Sequence, residues 1–114
     1  LTDAPLDARN LKRLAKRCML GLARTGGIAS NGSGDYVIAV STATSNRVPY
    51  ETKSMTADVP AVHNDAMSPL FLAAIEATEE AIWNSMTAAE SMQGHRGTIE
   101  ALPMEQVLQA LKKE

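Results

Sequence analysis

Apolar residues recur at three- and four-residue spacing after Asp7, where Leu11, Leu14, Ala15, Cys18 and Leu22 fall on one stripe. This predicts an amphipathic helix with Asp7 as its N-cap. Arg9, Lys12, Arg13, Lys16 and Arg17 lie mostly off the stripe, on a face expected to meet water. Gly26-Gly27 supplies the left-handed or irregular backbone that stops the helix after Arg24. From Gly26 to Gly34 there are four glycines and no bulky residue except Ile28. Tyr36, Val37, Ile38, Ala39 and Val40 then form a nearly continuous apolar run, which predicts a strand covered on both faces and ending in Ser41-Thr42-Ala43-Thr44.

From Ser45 to Asp65 the pattern fades into a long loop, with weak alternation around Thr52 to Val59 that allows an edge strand. Ser68-Pro69 reads as an N-cap followed by proline at the first helical position. Leu70, Ala73, Ala74, Ala77, Ala81 and Met86 are the candidate buried face of that helix, while Glu76, Glu79 and Glu80 are expected to face water. The many alanines permit close packing against a sheet or another helix, and the helix is expected to end before Gly94. Thr98 to Leu102 predicts a short extended segment. Pro103 opens a last helix with Met104, Val107, Leu108 and Leu111 inside and Lys112-Lys113 at its negative end. Three helices and one clear strand leave that strand short of partners for its N–H and C=O groups, so part of its sheet is expected elsewhere.

Composition narrows the class without naming it. With 45% hydrophobic residues, 21% charged residues and a net charge of -2, the chain is neither disordered nor a strongly basic nucleic-acid binder. One cysteine excludes an internal disulfide and a cysteine-based zinc site, and Cys18 on the apolar stripe reads as a small hydrophobe. No apolar run approaches the roughly 20 residues that span a bilayer, and no secretory signal pattern is present, which points to the cytoplasm. The start at Leu1, with no helix or strand pattern in Thr2-Asp3-Ala4-Pro5, leads to an expectation of processing, truncation or further residues upstream.

The candidate chemistry lies in Asn31-Gly32-Ser33-Gly34-Asp35, where two glycines allow close backbone approach and a hydroxyl stands two residues from a carboxylate. Such a pair can relay a proton. Asn-Gly and Ser-Gly are also ordinary turn dipeptides, in which Asp35 would only satisfy local N–H groups. The turn is not a Walker A loop, because no Gly-Lys-Ser/Thr follows, and it lacks the flanking glycines of a nucleophile elbow. Asn31-Gly32-Ser33 matches the glycosylation pattern, which without secretion is an accidental match. The basic residues from Arg9 to Arg17, with Arg24, have no interleaved aromatics, so nucleic acid is not expected. His63 and His95 stand alone and far apart, a poor arrangement for a metal. Asp58, Asp65, Glu76 and Glu79 read as caps or surface charges, and Asn64-Asp65 as a pair that caps or orients the long helix.

Several runs occur together in a recognisable order. They are Leu1-Thr2-Asp3-Ala4-Pro5-Leu6, Leu11-Lys12-Arg13-Leu14-Ala15, Gly21-Leu22-Ala23-Arg24-Thr25-Gly26, Asn31-Gly32-Ser33-Gly34-Asp35, Met67-Ser68-Pro69-Leu70-Phe71, Ala77-Thr78-Glu79-Glu80-Ala81-Ile82 and Glu100-Ala101-Leu102-Pro103. With them the chain resembles the C-terminal chain of the self-processing L-aminopeptidase/D-alanine-esterase and β-peptidyl aminopeptidase family over nearly its whole length. The resemblance implies an α+β fold, an αββα sandwich like the ornithine acetyltransferase architecture, whose two central sheets are shared with a second chain. Residues 1–114 would then be one partial domain, most of the C-terminal processed subunit.

The resemblance also implies a hydrolase. A precursor cleaves itself at a Gly-Ser bond, and the new N-terminal serine, on a strand preceding Thr2-Asp3-Ala4-Pro5, is the nucleophile. Ser33 matches the family's second serine, which bonds the nucleophile, and Asp35 matches the acidic position that orients it, where the family carries Glu or Asp. The implied partners are the N-terminal chain of the same precursor, a short peptide, amide or ester substrate, and further copies in a homo-oligomer of heterodimers. Nucleic acid, membrane, metal and organic cofactor are not implied, and the compartment is cytoplasm or periplasm. The alternatives are a non-catalytic assembly subunit and an acyl-transferring relative with a threonine nucleophile.

Overall fold

Helix α1 runs Ala8–Arg24, and its two ends follow from the residues that bound it. Asp7 is extended at the N-cap and its Oδ1 accepts from the Asn10 N–H at 2.7 Å, which satisfies one of the donors a helix start leaves open. At the other end Gly26 takes φ 92, the Gly26 N–H donates to Ala23 O at 3.1 Å and the Gly27 N–H to Leu22 O at 3.2 Å. That pair of bonds closes the last carbonyls and is why the chain leaves the helix there.

The structure, a computed structural model, describes residues 1–112. Its internal packing forms two units, Leu1–Glu79 and Glu80–Glu114. In the first, the segment before α1 is tied to the segment after Val40: the Thr2 N–H donates to Val40 O at 3.0 Å and the Thr42 N–H to Thr2 O at 2.8 Å, a parallel bridge of Thr2 with Ser41. Ser41 Oγ adds a bond to Ala4 O at 2.6 Å, and Asn46 Nδ2 one to Leu6 O at 3.1 Å. These bonds hold Leu6 in the small core, where it is buried with Met67 and Asn10. Burying a side chain such as Met67 fully contributes roughly 1.5–3 kcal/mol.

Helix α2, Met67–Thr87, starts earlier than the sequence pattern implies. A 3₁₀ turn over Asn64–Ala66 leads straight into it, so Ser68 is a helical residue rather than the N-cap. Pro69 sits in the first turn, where its missing N–H costs nothing. Asn64, placed by sequence just ahead of the helix, does orient its start: Asn64 Oδ1 accepts from Arg13 Nη1 at 2.7 Å, and the same nitrogen bonds Asn10 Oδ1 at 3.0 Å. Within this unit α2 meets α1 at Gly21, where a Cβ would lie 2.6 Å from Ile75 O. Ala73 and Ala77 are exposed, and Glu79, expected in water, is half-buried and paired with Arg24 at 3.1 Å. The contact is therefore rotated from the alanine face toward Ala74, Ile75 and Thr78.

The clearest expected strand forms no ladder. Tyr36 to Val40 pairs only through its end at Val40, and Tyr36 and Ile38 are 91% and 88% exposed. A strand is defined by its neighbours, and among the described residues this segment has only Thr2, at its end. Thr52 to Val59 also forms no strand; it is loop throughout.

In the second unit a hairpin joins β1, Met92–Gly94, to β2, Gly97–Ile99, antiparallel in the register Met92↔Ile99, Gln93↔Thr98, Gly94↔Gly97. The extended segment expected over Thr98 to Leu102 is shifted to begin at Gly97, whose φ of 144 favours glycine, and Glu100 to Leu102 is not strand. Ala101 N–H is held by Ser91 Oγ at 2.9 Å. Helix α3, Met104–Leu111, follows Pro103 as the pattern predicts, with Lys112 at its C-cap. Its Leu108 and Leu111, expected inside, are exposed. Lys113 lies outside the described residues.

Candidate functional site

After α1 the backbone turns sharply before it reaches the apolar run. Ala29 adopts φ 46, a left-handed conformation uncommon for a residue with a Cβ. The Ser33 N–H then donates to Ser30 O at 2.8 Å and closes a turn with Asn31 and Gly32 at its centre. The two residues singled out by sequence come together here: Ser33 Oγ is hydrogen-bonded to Asp35 Oδ2. Every residue from Ser30 to Asp35 is exposed, so both groups can be reached from outside the chain. Gly32 would admit a Cβ into open space, and a Cβ on Gly34 would meet only the Tyr36 ring, at 3.7 Å. The turn leads directly into Tyr36 to Val40.

A hydroxyl that donates to a carboxylate keeps its oxygen lone pairs free for a second donor. The arrangement can therefore accept a hydrogen bond from a further O–H or N–H group brought against Ser33, with Asp35 fixing the hydroxyl's orientation.

The other candidates do not join this site. His63 is an exposed residue before the 3₁₀ turn at Asn64, and His95 lies in the β1-β2 turn of the other unit. Among the described residues no group of three or more His, Cys, Asp or Glu could hold a metal ion, and no helix is long and apolar enough to cross a membrane. Cys18 is half-buried. The basic face of α1 is less solvated than its pattern suggests, because the Arg13 and Arg17 guanidinium carbons lie 5.0 and 4.0 Å from the centroid of the Phe71 ring. Two aromatic contacts and the Arg24 pair draw these charges into packing on α2. The residue pattern gives no role to Asn10 or Phe71; for Phe71 the available signal was that it is the one phenylalanine of the chain.

Residues 1–100 match the model of peptidase family S58. The chain belongs to peptidase family S58. It is 44% identical over 116 aligned residues to the β-peptidyl aminopeptidase BapA of Sphingosinicella microcystinivorans, covering 98% of this chain and 28% of that protein. Among solved structures, the PH0078 protein of Pyrococcus horikoshii superposes with a TM-score of 0.83 at 46% identity, covering 97% of this chain and 31% of the other. The L-aminopeptidase D-Ala-esterase/amidase of Ochrobactrum anthropi, a prototype of the serine aminopeptidases and a variant of the Ntn hydrolase fold, superposes with a TM-score of 0.85 at 36% identity, with 97% and 31% covered. The S58 chain thus spans under a third of the length of each of these relatives. Its helices and small antiparallel sheet form a mixed α and β structure whose solved relatives include that Ntn hydrolase variant.

Proposed function

We propose that residues 1–114 belong to a self-processing serine aminopeptidase and supply its proton-relay turn. The observation that carries this reading is the Ser33–Asp35 hydrogen bond in an exposed turn, within a chain of family S58. In this reading the attacking serine lies outside residues 1–114 and hydrogen-bonds to Ser33 Oγ. Asp35 holds the Ser33 hydroxyl so that its lone pairs face that serine. The nucleophile's proton passes to its own α-amino group or into this relay as its oxygen attacks the substrate carbonyl. Collapse of the tetrahedral adduct expels the amine or alcohol and leaves an ester on the serine, which water then cleaves. Donors for the oxyanion would come from the partner chain.

The substrate class that fits is a short peptide, amide or ester with a free N-terminal residue; the relatives named β-peptidyl aminopeptidase and L-aminopeptidase D-Ala-esterase/amidase support it. The same reading makes Tyr36 to Val40 a central strand of an αββα sandwich, with its neighbours supplied by the N-terminal chain of the precursor. The exposure of Tyr36 and Ile38 supports this, since an apolar run of that kind is normally covered. A homo-oligomer of such heterodimers is the expected assembly.

The test uses the full precursor. Ser33→Ala and Asp35→Asn are expected to lower hydrolysis of an aminoacyl p-nitroanilide by roughly 10²–10⁴-fold while circular dichroism stays unchanged. Wild-type rates in Ser33→Ala overturn the relay, and a full-length chain that never splits overturns self-processing.

A further inference from the structure

Asn31 stands apart from the other four asparagines of the chain. Asn10 is fully buried, bonded to Val62 O and Arg13. Asn46 is held on Leu6 O and Asn64 on Arg13. Asn84 lies inside α2, where the N–H that follows it is committed to the helix. Asn31 is exposed, and it alone is followed by glycine. Among the described residues neither its side chain nor the Gly32 N–H enters a hydrogen bond.

We propose that Asn31 is a site of spontaneous modification, where the chain converts asparagine into isoaspartate and aspartate through a cyclic imide. The Gly32 nitrogen attacks Asn31 Cγ, a nitrogen–carbon bond forms, and the side-chain nitrogen leaves as ammonia with the proton that Gly32 gives up. Water then opens the ring. Cleavage at the Asn31 α-carbonyl leaves the main chain running through Cγ, and cleavage at Cγ restores an ordinary backbone with an aspartate side chain. Water is the only co-reactant. Glycine suits the attack because no Cβ shields its nitrogen or restricts the dihedral angles that bring it onto Cγ.

Either product adds a carboxylate two residues before Ser33, and isoaspartate also inserts a methylene into a turn closed by the Ser33 N–H on Ser30 O. That insertion alters the turn that positions Ser33. A loss of activity as the protein ages rests on the relay role proposed for Ser33; the conversion at Asn31 does not.

Peptide mapping of the full-length processed protein, held at mildly alkaline pH and probed by isoaspartate-specific methylation, tests this. Wild type is compared with Gly32→Ala, which the open space at Gly32 admits, and with Asn31→Gln. Isoaspartate is expected at residue 31 of wild type, forming on the order of tenfold faster than at Asn84 or at Asn31 in Gly32→Ala, where the alanine methyl shields the attacking nitrogen. None is expected at that position in Asn31→Gln. No isoaspartate at residue 31, or an equal rate in Gly32→Ala, overturns the proposal. Hydrolysis measured on the same samples separates the two readings. Activity lost in step with isoaspartate supports both, whereas full conversion with unchanged activity keeps the modification and overturns the loss of activity drawn from it, leaving the role of Ser33 to the Ser33→Ala variant.

Discussion

Gly21 is the residue on which the first unit's helix packing turns. It is buried, and a methyl group there would lie 2.6 Å from the Ile75 carbonyl and 2.7 Å from Thr78 Cβ. A backbone carbonyl inside a helix cannot step aside, so Gly21→Ala is expected to cost roughly 1–3 kcal/mol despite alanine's better helix propensity. The measurement is a urea unfolding midpoint on the full protein; an unchanged or raised midpoint refutes this contact. The pattern of α1 could not single out Gly21, because it records only where apolar residues fall and not which point another helix approaches. Ser33 and Asp35 were legible for the opposite reason. A hydroxyl and a carboxylate two residues apart in a glycine-rich turn meet through local geometry alone, and the structure brings them into hydrogen-bond contact.

At the scale of elements, helix ends were read well and helix faces less well. Asp7 and Gly26-Gly27 bound α1 through bonds to residues within five positions, so sequence neighbours suffice to locate them. The start of α2 moved forward because the 3₁₀ turn at Asn64–Ala66 is tied to Arg13 of α1, far away in sequence. The same distance hides the packing of Arg13 and Arg17 on Phe71. A double-mutant cycle of Arg17→Ala with Phe71→Leu is expected to give a coupling of about 0.5–1 kcal/mol in unfolding free energy, and additive single effects would show that the stacking carries no energy of its own. The β1-β2 hairpin was missed in its first half because Met92-Gln93-Gly94 lacks β-branched residues and alternation; its pairing with Gly97–Ile99 makes the strand.

For the whole molecule, the decisive element is Tyr36 to Val40. If a partner chain covers it, Ile38→Lys is expected to leave the full precursor insoluble or unassembled, because a charge would be buried without a partner. If Ile38 is a true surface residue, the change stays within about 0.5 kcal/mol; size-exclusion chromatography of the expressed precursor distinguishes the outcomes. The sequence by itself determined what depends on near neighbours: the extent of α1, the existence of α2 and α3, the Ser33–Asp35 turn, and a motif order that identifies the family. Tertiary structure alone decided which face of α2 meets α1, where the arginines of α1 rest, and that Thr2 pairs with Ser41. It also decided that the most strand-like run of the chain forms no ladder. The physical reason is the reach of the forces involved. Caps and turns close hydrogen bonds over a few residues and are written in local residue types, whereas a strand or a buried face exists only through groups far along the chain, or beyond it, that satisfy its backbone and cover its apolar surface.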